Sequence, residues 1–238
     1  MTAAPAVAAA DDAPDRQRLT RSERRVAGVV ALGGLLAVLD TTIVVVAMPR
    51  FMAVFDVGLA AAQWIVVGYS LGMVCAMAVA VPVAERSGAR RVYIAALLLF
   101  AAATSWAGMT NSLGELIAAR VLQGLGGGFI NPVGMALAFG AVEPRRRARI
   151  TAITGLPLLI GPIAGPVLGG VVLQGSSWRT LFWITVPPAL LAAFGAVSWI
   201  PRSAGTLSID DPQARQGRVA VTTSQEHGNG GLTRGRPL

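Results

Sequence analysis

The chain has 238 residues, of which 54% are hydrophobic and 13% are charged, and its mean hydropathy is +0.61. Soluble domains are about 25% charged, so this composition excludes an ordinary water-soluble fold and predicts helices packed in lipid. The net charge is +8 and every basic residue is arginine, but most arginines lie in short segments between apolar runs, as topology determinants do. We therefore expect the lipid bilayer as a partner, and no nucleic acid.

Cysteine and histidine are scarce: Cys75 lies in an apolar run and His227 in a polar tail. One cysteine forms neither an internal disulfide nor a cysteine-based metal site, and we expect no metal. The first 25 residues begin Ala-rich and then become highly charged. The apolar run after them is too long for a signal peptide and lacks a clear cleavage site, so it predicts a retained first transmembrane helix.

Six apolar runs follow one another, each near the ~20 residues that cross the hydrocarbon core. We place them at 26–49, 63–84, 92–109, 113–140, 150–174 and 179–200. The pattern predicts an all-α polytopic membrane protein with three parts: a disordered cytoplasmic segment 1–25, a six-helix domain 26–201, and a polar disordered tail 202–238.

The arginines divide between two sets of alternate connections. The first set holds Arg16, Arg18, Arg21, Arg24 and Arg25, then Arg86, Arg90 and Arg91, then Arg145, Arg146, Arg147 and Arg149. The second set holds only Arg50 and Arg179. The positive-inside rule then predicts a multi-pass protein of the cell (inner or plasma) membrane with both termini in the cytoplasm.

Two charges of opposite sign, Asp40 and Arg120, interrupt otherwise uncharged apolar runs. A charge at bilayer depth is costly, so it normally faces a partner or a wet cavity. Asp40 lies nine residues before Pro49, where the first run ends. Arg120 lies seven residues after Leu113, where the fourth begins. At ~1.5 Å per residue, both lie roughly 10–14 Å from the same membrane face. A carboxylate that gains or loses a proton beside a fixed cation points to a proton-coupled transporter.

Asp40 is followed by two hydroxyl residues, Thr41 and Thr42, and then by more apolar residues up to Pro49. The structural alternative is an acid that caps or snorkels near a helix end. We favour a functional acid, because apolar segments flank Asp40 on both sides.

The connection between the second and third runs places Glu85 ahead of a basic cluster formed by Arg86, Arg90 and Arg91. An ordinary positive-inside loop accounts for the charges equally well. Gly88 permits a tight turn. The acid and the basic cluster could then form an ion-pair latch between helices at the cytoplasmic end.

In the fourth run, Arg120 is followed by Gln123 and by a glycine cluster at positions 124 and 126–128. Arginine suits a buried site because it stays charged in any protein setting. A phosphate-cradling loop would need a preceding strand, which this segment lacks. The glycines, beginning with Gly124, therefore favour close helix packing.

The fifth run concentrates small and helix-kinking residues: Pro157, Gly161, Pro162, Gly165, Pro166, Gly169 and Gly170. Glycines spaced by four residues are a small-xxx-small pattern for close helix contact, and each proline removes a backbone donor and kinks the helix. A packing face without any further role accounts for the glycines. The dense prolines favour a shaped interface.

Residues 68–72 match the G-x-S-x-G pattern of hydrolase nucleophiles. That elbow needs a strand–turn–helix context and a histidine partner. Here it lies in an apolar helical run, far from the only histidine, so we expect no catalytic residues and no enzyme.

Together these segments resemble the major facilitator superfamily, in its drug:proton antiporter branch with the fourteen-helix multidrug exporters. The resemblance covers about 25–201 and is carried by the first-helix signature 39–49; by Gln63, Trp64, Tyr69 and Leu71; by the loop 85–91; by Arg120, Gln123 and Gly124; by Gly161, Pro162, Gly165, Pro166, Gly169 and Gly170; and by Trp178, Arg179, Phe182, Trp183 and Pro187. It implies two three-helix repeats and a proton gradient as the energy source, with no organic cofactor.

The loop departs from the family pattern G-x-L-x-D-R-x-G-R-[RK] at Val81, Glu85 and Ala89. Glutamate keeps the charge of the usual aspartate but changes its reach, which implies a weaker latch.

The resemblance implies the N-terminal half of a proton-coupled exporter of small amphiphilic molecules. Asp40 would be the proton-responsive carboxylate and Arg120 its counter-charge. The gate at the cytoplasmic end would be formed by Glu85, Arg86, Gly88, Arg90 and Arg91. The surface that meets a second half would be shaped by Gly161, Pro162, Gly165 and Gly169.

The family places its substrate cavity between two six-helix halves, whereas this sequence predicts one. The chain would then be a truncated or frameshifted product, a separately encoded half, or a subunit that forms a homodimer. The alternative from a different class is a non-transporting membrane protein that pairs with another half.

Overall fold

A computed structural model describes residues 19–201, apart from the side chain of Leu158. The polar tail 202–238, with His227, and residues 1–18 of the predicted N-terminal segment lie outside the described residues. The described part contains six long helices: α1 (Arg21–Phe55), α2 (Trp64–Ser87), α3 (Ala89–Met109), α4 (Leu113–Gly140), α5 (Arg147–Gly175) and α6 (Arg179–Trp199). Short helical turns, Leu59–Ala62 and Pro144–Arg146, precede α2 and α5. Within residues 19–201, six spans are long and apolar enough to cross a membrane, which confirms the predicted number and the all-α class.

The start of α1 lies five residues before the predicted start at 26, because a capping box stabilises it. The Glu23 backbone N–H donates to the Thr20 hydroxyl at 3.2 Å. The Thr20 backbone N–H donates to the Glu23 carboxylate at 2.7 Å. Residues 21–25 are therefore helical, and the predicted boundary of the N-terminal segment at residue 25 is too late.

The sequence had suggested that the first helix ends at Pro49. In the structure Pro49 lies inside α1, which continues to Phe55. A proline removes only one backbone donor and can be accommodated in a membrane helix when neighbours hold the segment. Here Phe51 packs edge-on against Trp178, with ring centroids 5.4 Å apart, and Phe55 packs on the same indole at 5.8 Å. These contacts stabilise the part of α1 that follows the proline and ends at Phe55.

Helices α1 and α4 are the central elements of the bundle. Helix α1 packs against α4, α5 and α6, and α4 packs against α1, α2 and α3. Each central helix therefore contacts the second and third helices of the other half of the domain. This reciprocal pattern is what two three-helix repeats produce, and it places the two helices that carry Asp40 and Arg120 side by side.

The arginine-rich ends of the helices are tied to one another. The Arg146 guanidinium pairs with the Glu23 carboxylate at 3.2 Å, which joins the α4–α5 connection to the start of α1. The Arg90 guanidinium donates to the Val197 carbonyl at 2.6 Å, which joins the start of α3 to the last turn of α6. The α4–α5 connection thus meets the first helix, and the α2–α3 connection meets the last helix.

Candidate functional site

Asp40 of α1 and Arg120 of α4 form a buried ion pair. The Arg120 Nη1 donates to the Asp40 Oδ2 at 2.5 Å, and the two side chains are 1% and 2% exposed, respectively. The two charges that the sequence placed at a similar depth are therefore in direct contact.

Gln123, one turn after Arg120, completes the pair. Its Oε1 accepts from the Arg120 Nη1 at 2.6 Å, and its Nε2 donates to the Asp40 Oδ1 at 2.8 Å. The same Nε2 donates to the Thr104 hydroxyl of α3 at 2.7 Å, and this hydroxyl donates to the Phe100 carbonyl at 2.6 Å. Both ends of the amide are used, so one orientation of Gln123 satisfies every neighbour.

Helix α2 contributes the remaining contacts of the guanidinium. The Arg120 Nε donates to the Ile65 carbonyl at 3.3 Å. The ring of Tyr69, one turn further along α2, lies over the guanidinium, with 4.3 Å between the Arg120 Cζ and the ring centroid. The site therefore draws on α1, α2, α3 and α4.

The glycine cluster of α4 brings the α2 backbone against α4. A Cβ at Gly124 would overlap the Tyr69 carbonyl, and one at Gly128 would overlap the Met73 carbonyl. The contact is reciprocal, because a Cβ at Gly72 of α2 would overlap the Val121 carbonyl. Close helix packing, predicted for this cluster, is what the structure shows, and it places Ile65 and Tyr69 beside Arg120.

This network holds one negative and one positive charge away from water, with hydrogen bonds to both carboxylate oxygens of Asp40 and from the Nε and Nη1 of Arg120. Removing one partner of such a pair leaves an uncompensated buried charge, which costs about 3–5 kcal/mol. The packing around the site is consequently stable only while both charges are present. Loss of either charge favours a different packing of the surrounding helices.

The predicted latch in the α2–α3 connection is not formed. Glu85, Arg86 and Arg91 are exposed and make no ion pair within residues 19–201. Arg90 instead bonds to α6 through the Val197 carbonyl. The predicted tight turn is confirmed: Gly88 alone separates α2 from α3, with φ at +86°. The acid and the basic side chains on the two sides of this one-residue turn do not pair with one another.

The fifth-helix glycines do not lie on a free surface, so the prediction that Gly161, Gly165 and Gly169 meet a second half is wrong. All three are buried against α1: a Cβ at Gly161 would overlap Val38, and one at Gly165 would overlap Thr42. The small-xxx-small pattern is satisfied within the chain, because it allows α5 to approach α1. Their neighbours Pro162 and Pro166 are exposed, and Gly170 is half-buried with open space where a Cβ would lie.

The sequence pattern pointed to Asp40, Arg120 and Gln123 but gave no role to Tyr69 or Thr104. Tyr69 stood inside the G-x-S-x-G match, whose Ser70 hydroxyl merely donates to the Val66 carbonyl of its own helix at 3.0 Å. The available signal for Tyr69 was its spacing: it lies between Gly68 and Gly72, on the face that α4 contacts.

Six membrane-crossing helices around a buried charged network define a polytopic membrane protein of the transporter type. A family model, the Major Facilitator Superfamily, matches residues 30–233, and the chain belongs to this family. Its members and the relatives below are transporters, and the chain is not an enzyme.

The relatives include proteins named for multidrug resistance and for riboflavin transport. The Multidrug resistance protein B homolog of Mycobacterium tuberculosis is 35% identical over 178 residues, covering 75% of this chain and 33% of that protein. The Riboflavin transporter RibZ of Clostridioides difficile is 26% identical over 174 residues, covering 73% of this chain and 38% of that protein. The matched region thus spans about a third of the length of these relatives.

A solved structure supports the fold. A D-xylose-proton symporter superposes with a TM-score of 0.65 at 18% sequence identity, covering 82% of this chain and 53% of that one. At this identity the likeness concerns the fold alone.

Proposed function

We propose that this six-helix unit is one half of a proton-coupled exporter of small amphiphilic molecules, and that Asp40 takes up and releases the proton. The ion pair between Asp40 and Arg120 carries this proposal, because both side chains are removed from water.

A proton on Asp40 cancels its charge and leaves the Arg120 guanidinium buried without a carboxylate. Because an uncompensated buried charge is costly, the protonated site favours a different packing of the helices or the entry of water. The contacts of the site come from α1, α2, α3 and α4. Proton uptake is thereby linked to the arrangement of four helices, which is what proton-driven transport requires.

A second six-helix unit is the partner that we propose. Asn131 lies inside α4, yet its side chain is exposed and has no hydrogen bond to the described residues. An unpaired amide is unfavourable against lipid, so this face of α4 suits a water-filled cavity. Transporters of this family bind substrate between two such units and alternate access by rocking one against the other.

The names of the relatives support small molecules as substrates. One is called a multidrug resistance protein homolog and another a riboflavin transporter. We propose a cell-membrane location with both termini in the cytoplasm, on the basis of the arginine distribution. The energy source would be the proton gradient.

Reconstitution in liposomes tests the proposal. The purified chain is incorporated with and without a second six-helix half from a multidrug relative, and the movement of a cationic dye is followed under an imposed pH gradient. We expect transport with the second half and its loss in Asp40→Asn. The matched control is Asp56→Asn, because Asp56 ends α1 in a left-handed conformation with φ at 51° that asparagine adopts readily.

Two results would contradict the proposal. Gradient-driven transport that persists in Asp40→Asn would exclude Asp40 as the coupling site. A stable complex of the two halves that moves no dye would favour the non-transporting interaction protein. Dye movement by the chain alone would identify a homodimer as the working unit in place of a heterologous pair.

A further inference from the structure

We infer that Tyr69 is a positioning residue, whose ring holds the Arg120 guanidinium while Asp40 carries a proton and thereby favours proton uptake. This inference rests on the proposed function. It starts from a contact that the ion pair itself does not require: the ring centroid lies 4.3 Å from the Arg120 Cζ, with Tyr69 only 1% exposed.

The ring is held in this position by the packing of α2 on α4. The Tyr69 carbonyl lies where a Cβ at Gly124 would be, and its hydroxyl lies 2.7 Å from where a Cβ at Gly127 would be. The hydroxyl is buried and has no hydrogen-bond partner among the described residues. The contact that Tyr69 makes with the charged site is therefore made by its ring face.

The ring face acts differently on the two protonation states of Asp40. An aromatic face carries negative charge density and attracts a cation. While Asp40 is ionised, this face attracts Arg120 but repels the carboxylate that is bonded to the guanidinium. Once Asp40 is protonated, the repulsion disappears and the attraction to Arg120 remains. The ring consequently stabilises the protonated state relative to the ionised one.

Few other charged or titratable groups face Asp40 from the neighbouring helices. Arg120 faces it from α4, and the Tyr69 ring of α2 lies against the guanidinium. Helix α3 contributes the neutral Thr104, and its Tyr93 donates instead to the Val29 carbonyl, three turns of α1 away. The α5 face against α1 is built of glycines, and the charged residue of α6, Arg179, bonds to the Thr110 carbonyl.

Infrared spectroscopy of the purified chain in lipid tests this without any transport assay. The carbonyl stretch of a protonated carboxyl group is followed as a function of pH, and Asp40→Asn identifies the Asp40 band. In Tyr69→Leu we expect the midpoint of protonation to move to lower pH, because the repulsion between the ring face and the ionised carboxylate is lost. In Tyr69→Phe, which keeps the ring, the midpoint should stay near the wild-type value.

The outcomes separate the inference from the proposed function. An unchanged midpoint in a folded Tyr69→Leu protein, or an equal shift in Tyr69→Phe, overturns the positioning role alone. Absence of any titrating Asp40 band in the wild-type chain contradicts proton coupling, and the inference fails with it. Should Tyr69→Leu not fold, pentafluorophenylalanine at position 69 preserves the shape and reverses the charge of the face. Its midpoint should lie below that of Tyr69→Phe, which stays near the wild-type value.

Discussion

The hydrogen bonds around Gln123 predict that Asp40 and Gln123 can exchange their functional groups. Asp40 accepts at one oxygen from Arg120 and at the other from Gln123. After Asp40→Asn, one carbonyl oxygen faces two donors, and no negative charge remains beside the guanidinium. Adding Gln123→Glu places a carboxylate that accepts from Arg120 and from the new amide at position 40. The double variant therefore restores both the charge balance and the bonding pattern.

The magnitude follows from the burial of the pair. Asp40→Asn should lower the free energy of unfolding by about 3–5 kcal/mol, the cost of a buried charge left alone. Gln123→Glu alone sets two carboxylates against one guanidinium, which is also destabilising. In the double variant the Thr104 hydroxyl turns from the Phe100 carbonyl to the new carboxylate, a loss of about 1 kcal/mol. We expect the free energy of unfolding of the double variant to lie within about 2 kcal/mol of the wild-type value. This loss is far smaller than the sum of the losses in the two single variants.

Titration of the purified chain with sodium dodecyl sulfate in detergent micelles, followed by far-ultraviolet circular dichroism, measures these free energies. The matched control pairs Gln123→Glu with Asp56→Asn, at the far end of α1, where the two losses should simply add. Additive losses for Asp40→Asn and Gln123→Glu, within about 0.5 kcal/mol, would show that the two side chains do not bond as described.

Three further predictions concern the helix contacts and the orientation of the chain in the membrane. Gly165→Ala should destabilise the chain in the same unfolding assay, because the added methyl overlaps α1, whereas Gly170→Ala has open space and should be neutral or stabilising by about 0.5–1 kcal/mol. Arg90→Gln should lower the protection of the last turn of α6 in hydrogen exchange, since its bond to the Val197 carbonyl is lost, while Glu85→Gln should leave that protection unchanged. Reporters fused before α1 and after α6 should both be cytoplasmic, and a translocated reporter after α6 would contradict the proposed orientation.

Sequence alone was sufficient for the number of spans, because the bilayer imposes a local rule. Each helix must satisfy its own backbone hydrogen bonds and remain apolar over about 20 residues. Both requirements can be read within a single segment. The ends of α1 could not be read in this way, since the start depends on the Thr20–Glu23 capping box and the end on the packing of Phe51 against Trp178.

Sequence patterns predicted the contacts of a helix surface less well than they predicted the membrane spans. The spacing of Gly161, Gly165 and Gly169 predicts that some helix approaches closely, but any helix can fill that groove, and the structure places α1 there. In the α2–α3 connection, the charges of Glu85 and Arg90 suggested a mutual pair. Whether two side chains meet depends on the turn between them, and here the turn is a single glycine.

The sequence by itself determined that Asp40 and Arg120 must be compensated, because the cost of a lone charge in lipid does not depend on the fold. It also determined that Gln123, one helical turn from Arg120, shares the same face of α4. Only the tertiary structure decided which groups complete the site. Tyr69 comes from α2 and Thr104 from α3. They reach Arg120 and Gln123, respectively, because the glycines of α4 carry no side chains at the contact and let the backbones of the neighbouring helices approach closely.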